Sequence, residues 1–411
     1  MGNFSAKAKR TALIALVLVA ALGCVYATDA MNPTVTPGYG MATKPFSATS
    51  AKYEAMGRAG VALHSDKDAI HVNPANIATD TWSWHIPAAS VTIYNVRDIL
   101  KSQIVQDAVE GNMKEDMTGY APDLVGIYGK AGYGEIAKID ARIGFKAPHF
   151  ELSSDTQINL FTYVPLENKM EMSVIPQVDD VTSLGIGMRL YGGNVSLDLG
   201  VTGRFALRAY YSKIDLNTFL NGDEDLMTKL MESNPVVVGY AIPFDVGATL
   251  NLPFGFSTGM VYRNINGNYK TMYAESLEAL QAKEVVKDAF KLEVPATLDV
   301  GVAWAPKMGA WGWIAEPQVA VDVKDVIKVA KSGFDKETLL KSLHAGVELQ
   351  VLKLAEVRAG LDGGYVTLGA GLDLLHLIHV EAAYGRQLFE LGAGEKAVDA
   401  FTIRMNIIWE R

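Results

Sequence analysis

The residues that could carry out chemistry lie in contexts that do not favour catalysis. Gly255-Phe256-Ser257-Thr258-Gly259 matches the nucleophile-elbow pattern, which needs a sharp strand-to-helix turn to expose its serine. The flanking residues alternate instead, with Met260 and Tyr262 on the apolar face and Ser257 on the polar one. This pattern favours a serine within a strand. A lipid hydrolase stays the less favoured alternative, and it would lose all ester turnover on Ser257→Ala.

The histidines offer two further candidate sites. His376 and His379 lie three residues apart, so on a strand they face opposite sides and cannot share a metal; we expect them at a rim near a turn. His64 and His71 flank Asp66 and Asp68 and could form an ion site or a pH-sensitive latch, but solvated loop positions are favoured. The glycines between 126 and 134 precede no helix that could bind phosphate. We predict no catalytic residue, no metal site and no cofactor.

The first residues predict export from the cytoplasm. A cationic start precedes a short apolar run and a small-residue end, which together form a secretory signal peptide over residues 1–27, cleaved before Thr28. The evidence is Lys7, Lys9, Arg10, the run 12–22 and Val25-Tyr26-Ala27. The run is too short to cross a bilayer. Cleavage before Cys24, which would give a lipoprotein, remains an alternative.

Charge and cysteine content exclude several classes of protein. Cys24 is the only cysteine, so cleavage before Thr28 leaves no residue for disulfides, thiolate catalysis or cysteine metal sites. The formal net charge is −9, and removing Lys7, Lys9 and Arg10 without any acidic residue makes it −12. Nucleic acid is therefore not an expected partner.

The apolar residues are abundant but never continuous after the leader. Hydrophobic residues make up 49% of the sequence, yet no run of about twenty apolar residues follows residue 27. They alternate instead with small or polar residues, the period of two of a strand with one lipid face and one luminal face. The clearest segments are 195–202, 294–304, 318–323, 343–351, 366–374 and 401–409.

Strand length distinguishes between two all-β architectures. Several alternating segments run for nine to eleven residues, the length that crosses a membrane when tilted, whereas strands of a soluble sandwich average about five or six. We predict a transmembrane antiparallel β-barrel of about fourteen strands over residues 81–411. Residues 97–118, 214–233 and 274–292 are charged and helix-like, which predicts loops with short helices.

Residues 28–80 differ from the rest of the chain. They are rich in Gly, Ala, Pro and Ser and show little alternation, so we predict a plug folded inside the barrel. Such a hatch would prevent the lumen from being an open aqueous hole.

Three stretches resemble one family of barrels. Residues 56–63 read Met-Gly-Arg-Ala-Gly-Val-Ala-Leu and are followed by Asn73-Pro74-Ala75-Asn76-Ile77-Ala78; two later stretches are 294–302 and 357–371. Together they resemble the FadL-type outer-membrane transporters of hydrophobic compounds and their PorV-like relatives. Gly57, Gly60, Asn73, Pro74 and Ala75 match the hatch motif of that family.

The resemblance implies a function and an alternative to it. It implies a hatch-gated outer-membrane channel for passive uptake of long-chain fatty acids or other hydrophobic molecules, released sideways into the membrane. The PorV-like branch implies instead a scaffold for protein secretion or surface attachment. We expect a monomer with outer-membrane lipid and a hydrophobic ligand as its partners.

Two further groups of residues are candidates for function. Apolar residues near helical spacing in 274–292 could capture ligand at the barrel mouth or only cap it: Leu277, Leu280, Val286 and Phe290. Charged residues on luminal faces could anchor the hatch or line a polar path, and anchoring is favoured: Arg189, Asp198, Asp299, Asp322, Glu348, Arg358 and Arg404.

Overall fold

The structure is a computed structural model that describes most of the chain from residue 44 onward. The described residues are 44–47, 50–64, 68–114, 116–129, 132–165, 168–192, 194–211, 214–216, 220, 234–287, 292–374, 377–388 and 398–410. The predicted signal peptide, the first part of the predicted hatch, Asp66, Phe290 and His376 lie outside them.

The alternating segments form an antiparallel sheet. Its strands are β1 Ser83–Tyr94, β2 Gly132–Ala147, β3 Phe150–Val164, β4 Ser173–Gly192, β5 Val195–Tyr211, β6 Ile214–Asp215, β7 Val236–Ala241, β8 Phe244–Asn251, β9 Phe256–Ile265, β10 Asn268–Ala274, β11 Val286–Lys287, β12 Leu292–Glu293, β13 Thr297–Trp304, β14 Ala315–Val323, β15 Leu343–Val351, β16 Ala355–Asp362, β17 Tyr365–Leu374, β18 Ile378–Gln387 and β19 Asp399–Glu410.

The sheet closes on itself. β1 pairs with β2 on one side and with β19 on the other, from Ser83 opposite Glu410 to Tyr94 opposite Ala400. Successive pairing gives a closed barrel of 14 strands, in which β5 with β6, β7 with β8, β9 with β10, and β11 with β12 and β13 each count as one interrupted strand. The predicted barrel is confirmed, and closure rules out the soluble sandwich because no edge is left unpaired.

The two faces of the wall follow the sequence alternation. In β5, Val201 is 42% exposed on the outside, while Asp198 and Thr202 are fully buried on the inside. Apolar side chains therefore cover the outer surface, and polar side chains fill the lumen.

Connection length distinguishes the two ends of the barrel. Short turns at 148–149, 252–255 and 352–354 define the turn end, while the long connections between β1 and β2, between β10 and β11, and between β14 and β15 define the loop end. The helices are α1 Ala51–Ala55, α2 Ala69–Val72, α3 Val96–Ile99, α4 Gln103–Glu110, α5 Ala121–Tyr128, α6 Leu277–Gln281, α7 Val326–Lys331 and α8 Lys336–Ser342. Among the described residues, no helix is long and apolar enough to cross a bilayer.

The loop helices agree in part with the sequence predictions. Helices α3, α4 and α6 fall within 97–118 and 274–292 or begin one residue before, and α5 extends the first loop beyond its predicted end. Helices α7 and α8 were not predicted. Asp325 and Asp335 cap them by accepting hydrogen bonds from Lys328 N and Thr338 N, a signal the sequence does contain.

Two loops fold back over the outer surface of the wall at the loop end. Leu277, Leu280 and Val285 pack on Val236 and Val238, and a second cluster joins α5 to β3 and β4. In the first loop, hydrogen bonds from Gln103 and Tyr120 lower the pKa of the Asp107 carboxyl below its usual value. This contribution to loop stability is present at neutral pH and is lost as the pH falls through that lowered pKa.

Residues 50–64 and 68–80, the luminal segment, lie across the barrel interior. Their apolar residues form small clusters, including Met56, Ala59 and Leu63 against Ala303 and Ala320 of the wall. A ring of inward-facing wall glycines makes room for the segment: Gly185, Gly187, Gly200, Gly247, Gly259, Gly346, Gly360 and Gly369. At each of them an added Cβ would lie under 3 Å from an atom of the luminal segment.

The glycine ring predicts a specific destabilisation. A Cβ on Gly200 would lie 2.1 Å from the Pro74 carbonyl oxygen, so we expect Gly200→Ala to lower the free energy of unfolding by about 1–3 kcal/mol. Gly203 lies in the same strand, and a Cβ added there would have no atom within 4 Å, so Gly203→Ala is the matched control. Thermal unfolding in detergent measures both, and equal melting temperatures would contradict this packing.

Candidate functional site

The luminal segment is built from short elements with defined caps. Ser50 begins α1 by accepting a hydrogen bond from Tyr53 N at 3.2 Å. Asn73 ends α2 and begins a 3₁₀ turn over Pro74–Ile77, where its Oδ1 accepts from Ala75 N at 3.0 Å. Pro74 fits the first position of this turn because it needs no N–H there. The Asn-Pro-Ala motif therefore acts locally as a helix cap.

Asn73 also fastens the segment to itself and to the wall. Its Nδ2 donates to the Val61 carbonyl oxygen at 2.8 Å and to Thr249 Oγ1 at 3.1 Å, and the residue is fully buried. Pro74 and Ala75 lie against Gly200 and Gly247 of the wall. The predicted hatch-motif residues are thus brought together with β5 and β8.

Gly57 and Gly60 are required for different structural reasons. Gly57 has φ +64°, and an added Cβ would lie 2.3 Å from the Leu361 carbonyl oxygen. Glycine is therefore required there both for its conformation and for space. Gly60 instead presents its backbone N–H to the wall.

Asp322 is the wall carboxylate that receives this backbone. It is fully buried, and its Oδ2 accepts from Gly60 N at 2.7 Å and from Val61 N at 3.0 Å. Such charge-assisted bonds are strong in a dry interior. Asp322 therefore anchors the first turn of the segment to β14.

The other predicted luminal charges are also buried or half-buried in ion pairs. Glu348 contacts Lys52 of the segment at 2.8 Å, and Arg404 lies 3.7 Å from Asp68. Asp299 contacts Arg263 at 2.8 Å. Arg189 and Asp198 pair with each other through two bonds of 2.6 and 2.8 Å. All of these groups connect to the luminal segment directly or through one residue, and Asp198 does so through His64, whose Nε2 lies 3.5 Å from Asp198 Oδ2.

Arg358 lies at the centre of an acidic cluster. It contacts Glu348 at 2.5 Å, Glu381 at 3.1 Å and also Glu356. His379, predicted to lie at a rim, is buried beside this cluster at 3.3 and 3.4 Å from the two nearest carboxylates. His379 is the second residue of β18, near the end of the strand, and the alternation of that strand turns its side chain inward. His379, Glu356 and Glu381 offer ligand atoms within 4.8 Å of one another, but the Arg358 guanidinium already supplies positive charge there.

His71 also differs from its predicted solvated position. Its side chain is buried, with Nε2 3.1 Å from Asp155 Oδ2, and Asp155 contacts Arg142 at 2.5 Å. The helix α2 turns this side chain into the lumen. His64 matches the prediction better, being 37% exposed and 2.7 Å from Asn251 Oδ1.

Ser257 has a structural role. It lies in β9, and its Oγ donates to the Ala62 carbonyl oxygen of the luminal segment at 2.7 Å. A strand position with its hydroxyl bonded to a backbone carbonyl does not provide the exposed turn of a nucleophile elbow.

A cavity of about 490 Å³ lies between the luminal segment and the loop end. Its wall carries seven basic and seven acidic side chains: Lys44, Arg58, Lys138, Arg204, Arg208, Arg263 and Lys324, with Glu54, Glu135, Asp179, Asp299, Asp325, Asp362 and Asp399. Six aromatic rings also line it: Phe46, Tyr53, Tyr94, Phe161, Tyr365 and Tyr384. Charges of both signs and aromatic faces together suit a molecule with a polar group and an apolar body.

Beside this cavity three neighbouring strands are interrupted at one level. The wall interruption comprises residues 242–243, 266–267 and 294–296, where ladder pairing stops between β7 and β8, β9 and β10, and β12 and β13. Pro243 and Pro295 have no N–H to donate, and Asn266 adopts φ +62°. A narrow recess on its inner side is lined by Phe46, Arg204, Pro243, Gly267 and Val294, among others.

The predicted capture residues are mostly enclosed. Leu277 and Leu280 are 7% and 3% exposed in the cluster on the outer wall, and Val286 is half-buried in β11. They pack rather than present an open surface in this conformation. Their role in ligand capture stays a prediction.

The sequence reasoning missed the wall interruption and the part played by Arg263. Pro243, Pro295 and the Asn266-Gly267 pair stand inside alternating segments, and such residues signal a break in a strand. Arg263 shares the polar face of β9 with Ser257, but its contacts with backbone carbonyls of the luminal segment could not be read from alternation.

Comparisons with known proteins give likenesses of architecture. No protein-family model matches the sequence, and no curated protein matches it. Similar solved structures include the toluene transporter TodX of P. putida (9% identity, 88% of this chain and 97% of that chain, TM-score 0.45) and a FadL homologue of Pseudomonas aeruginosa (13%, 88% and 97%, 0.39). The translocator domain of the autotransporter NalP from Neisseria meningitidis is also similar (12%, 88% and 99%, 0.37). Likenesses of this size carry no argument about ligand or transport in this chain.

The contacts of Asn73 predict an ion leak when they are lost. Asn73→Ala leaves the Val61 carbonyl and the Ala75 N–H without these partners, which should cost about 1–3 kcal/mol and loosen the luminal segment. We expect a higher ion conductance of the purified barrel in a planar bilayer. Asn112→Ala, at an exposed loop position, is the control. Conductance equal to that of the unaltered protein would contradict closure by this segment.

Proposed function

We propose that this chain is an outer-membrane channel that takes up amphipathic or hydrophobic small molecules passively through a barrel closed by a movable hatch. Long-chain fatty acids are candidate ligands. The observation that carries the proposal is the cavity enclosed between the loop end and the luminal segment, inside a wall whose outer surface is apolar.

The outer surface supports placement in a bilayer. Exposed apolar side chains run along the outer face of the strands, and exposed tryptophans lie near the turn end: Trp84, Trp304 and Trp409. An apolar band with aromatic residues at its edge is typical of barrels that span a membrane. The export signal predicted for residues 1–27 directs such a barrel to a bacterial outer membrane.

The luminal segment supports a hatch. It crosses the lumen and is held by wall side chains rather than by a backbone ladder: Asp322, Arg263, Ser257, Thr249 and Thr367. The contacts of Asp322 and Arg263 are charge-assisted and the others are ordinary hydrogen bonds, but none belongs to the ladder, so the hatch can move without disrupting the barrel, whose ladder closes independently. In its present position it separates the cavity from the turn end.

The cavity supports an amphipathic ligand. Its charged groups are balanced in sign, and many are already paired, as are Lys138 with Glu54 and Arg208 with Asp179. The aromatic rings leave apolar surface for the body of a ligand. A molecule with one polar group and an apolar tail would use both kinds of wall.

The wall interruption supports sideways release. It lies next to the cavity, and Ile242 and Phe244 at its outer face are 58% and 37% exposed toward the bilayer. Few ladder hydrogen bonds have to be broken to widen it. No covalent step is required, and we expect the channel to act as a monomer.

Filling the cavity should reduce ligand binding. Ala400 lines the cavity, so Ala400→Trp should lower the amount of co-purifying or added amphiphile by about tenfold, measured by native mass spectrometry. Ala89→Trp places the same side chain on the outer face and should leave binding unchanged. Equal occupancy in the two variants would exclude this cavity as the ligand site.

Locking the wall interruption should block release. Asn266 Nδ2 donates to the Ile242 carbonyl oxygen at 3.1 Å, so cysteines at these positions can be bridged by a short bifunctional reagent. We expect the bridged barrel to bind a fluorescent amphiphile but to deliver it to liposomes far more slowly. A bridge at Leu250 and Thr258, paired in an uninterrupted part of β8 and β9, is the control. Unchanged delivery after bridging at the interruption would reject the sideways route.

A further inference from the structure

Arg263 of β9 caps the luminal segment. Its Nη1 donates to the His71 carbonyl oxygen at 2.8 Å, and its Nη2 donates to the Val72 carbonyl oxygen. These two residues end helix α2, whose last carbonyls have no partner within the helix. A cation at this end also interacts favourably with the partial negative charge of the helix C-terminus. Arg263 therefore binds the hatch through backbone atoms at a fixed helix terminus.

The same guanidinium faces two wall carboxylates. Its Nε donates to Asp299 Oδ2 at 2.8 Å, and its Nη1 lies 4.0 Å from Asp245 Oδ2. That Asp245 oxygen is buried and has no hydrogen bond within the part of the chain described. A second, closer pairing is thus available to Arg263 if it loses the hatch carbonyls.

Asp245 in turn holds together the side of the wall interruption that faces the turn end. Its Oδ1 accepts from Asn264 N at 2.8 Å and from Arg204 Nη2 at 2.5 Å, while Arg204 Nη2 also donates to Asn264 Oδ1 at 2.9 Å. The ladder between β8 and β9 shifts register at this point, and Asn264 has φ +55°. Such a bulge redirects side chains and ends pairing.

The contacts among Asp245, Arg204 and Asn264 form a clamp that extends to the wall interruption itself. Arg204 N donates to the Pro243 carbonyl oxygen at 2.9 Å, and the Asn264 carbonyl oxygen accepts from Gly267 N at 3.1 Å. One continuous chain of contacts therefore runs from the end of α2, through Arg263 and Asp245, to the interruption in the wall.

We propose that Arg263 is the positioning residue that couples hatch displacement to widening of the wall interruption; this inference rests on the proposed function. When the hatch moves, two buried donors of Arg263 lose their carbonyl acceptors, which is costly unless they find others. Asp245 Oδ2, 4.0 Å from Nη1, is a neighbouring acceptor that has no hydrogen bond of its own among the described residues. Closer pairing there draws Asp245 away from Arg204 and Asn264, and the clamp that holds the interruption closed is weakened.

The coupling can be measured in a double-mutant cycle. Asp322→Asn loosens the hatch at an anchor that Arg263 does not contact, and Arg263→Gln removes the coupling residue. Spin labels at Ile242 and Ala296, exposed on either side of the middle interrupted strand, report widening by double electron–electron resonance in a Cys24→Ser background.

We expect Asp322→Asn to increase the long-distance population when Arg263 is present, and to have an effect at least about fivefold smaller with Arg263→Gln. Arg386→Gln, at an exposed position, is the matched control and should preserve the full effect. An equal effect of Asp322→Asn in both backgrounds would overturn the coupling. The coupling would also be overturned if the spin-label distances showed no widening in any background while planar-bilayer conductance showed that the hatch had moved.

A conservative variant protects the test against misfolding. If Arg263→Gln does not fold, as judged by the shift in gel mobility that a folded barrel shows on heating, Arg263→Lys serves in its place. A single ammonium group lacks the planar fork with which the guanidinium binds two carbonyls and a carboxylate together. Failure of the coupling would leave ligand binding to the cavity intact. Failure of the proposed function would instead appear as a barrel that binds no amphiphile even though hatch and wall remain coupled.

Discussion

The closed ladder of fourteen strands imposes the constraint from which the other features follow. Closure pairs the backbone without leaving an edge, but it encloses a lumen that the inward side chains alone do not fill. The luminal segment fills it, and eight wall glycines leave room for its backbone at one level. Polar wall side chains then bind the groups that a segment without its own sheet leaves unpaired. Asp322 accepts two of its N–H groups, and Arg263 donates to two of its carbonyls.

The same constraint explains why the interruption matters. A complete barrel offers no sideways path, because every wall strand is hydrogen-bonded on both sides. Here the regular ladder stops in three adjacent strands at one height, where single backbone bonds such as Val294 N to the Gly267 carbonyl oxygen remain, beside the cavity and at the edge of the clamp made by Asp245, Arg204 and Asn264. Under the proposed function, a barrel with a filled lumen and a locally weak wall would admit a molecule at the loop end and release it to the bilayer without opening an aqueous pore. The polar anchors hold the hatch, and the ladder holds the barrel, so the hatch can move while the barrel stays closed.

Alternation made the barrel predictable, because a strand with one lipid face and one luminal face leaves its period in the sequence, as in 195–202. It also predicted that Asp198, Asp322 and Glu348 face the lumen, and the structure buries all three. It could not give their partners, because pairing across the lumen depends on the three-dimensional path of the luminal segment. For the same reason His71 was expected in solvent, although the fold buries its side chain against a carboxylate, and the burial of His379 against two carboxylates was not predicted. Pro243 and Asn266-Gly267 carried the signal for the interruption, but only the register of neighbouring strands brings the three breaks to one level.

Native mass spectrometry of the protein purified from outer membranes in mild detergent, followed by lipid extraction, tests the central claim most directly. We expect a single barrel that carries a small amphipathic molecule, and we expect added excess fatty acid to displace that molecule. An empty barrel bound to a protein partner and indifferent to fatty acid would contradict it, and would favour the scaffold for secretion or surface attachment that the sequence also resembles.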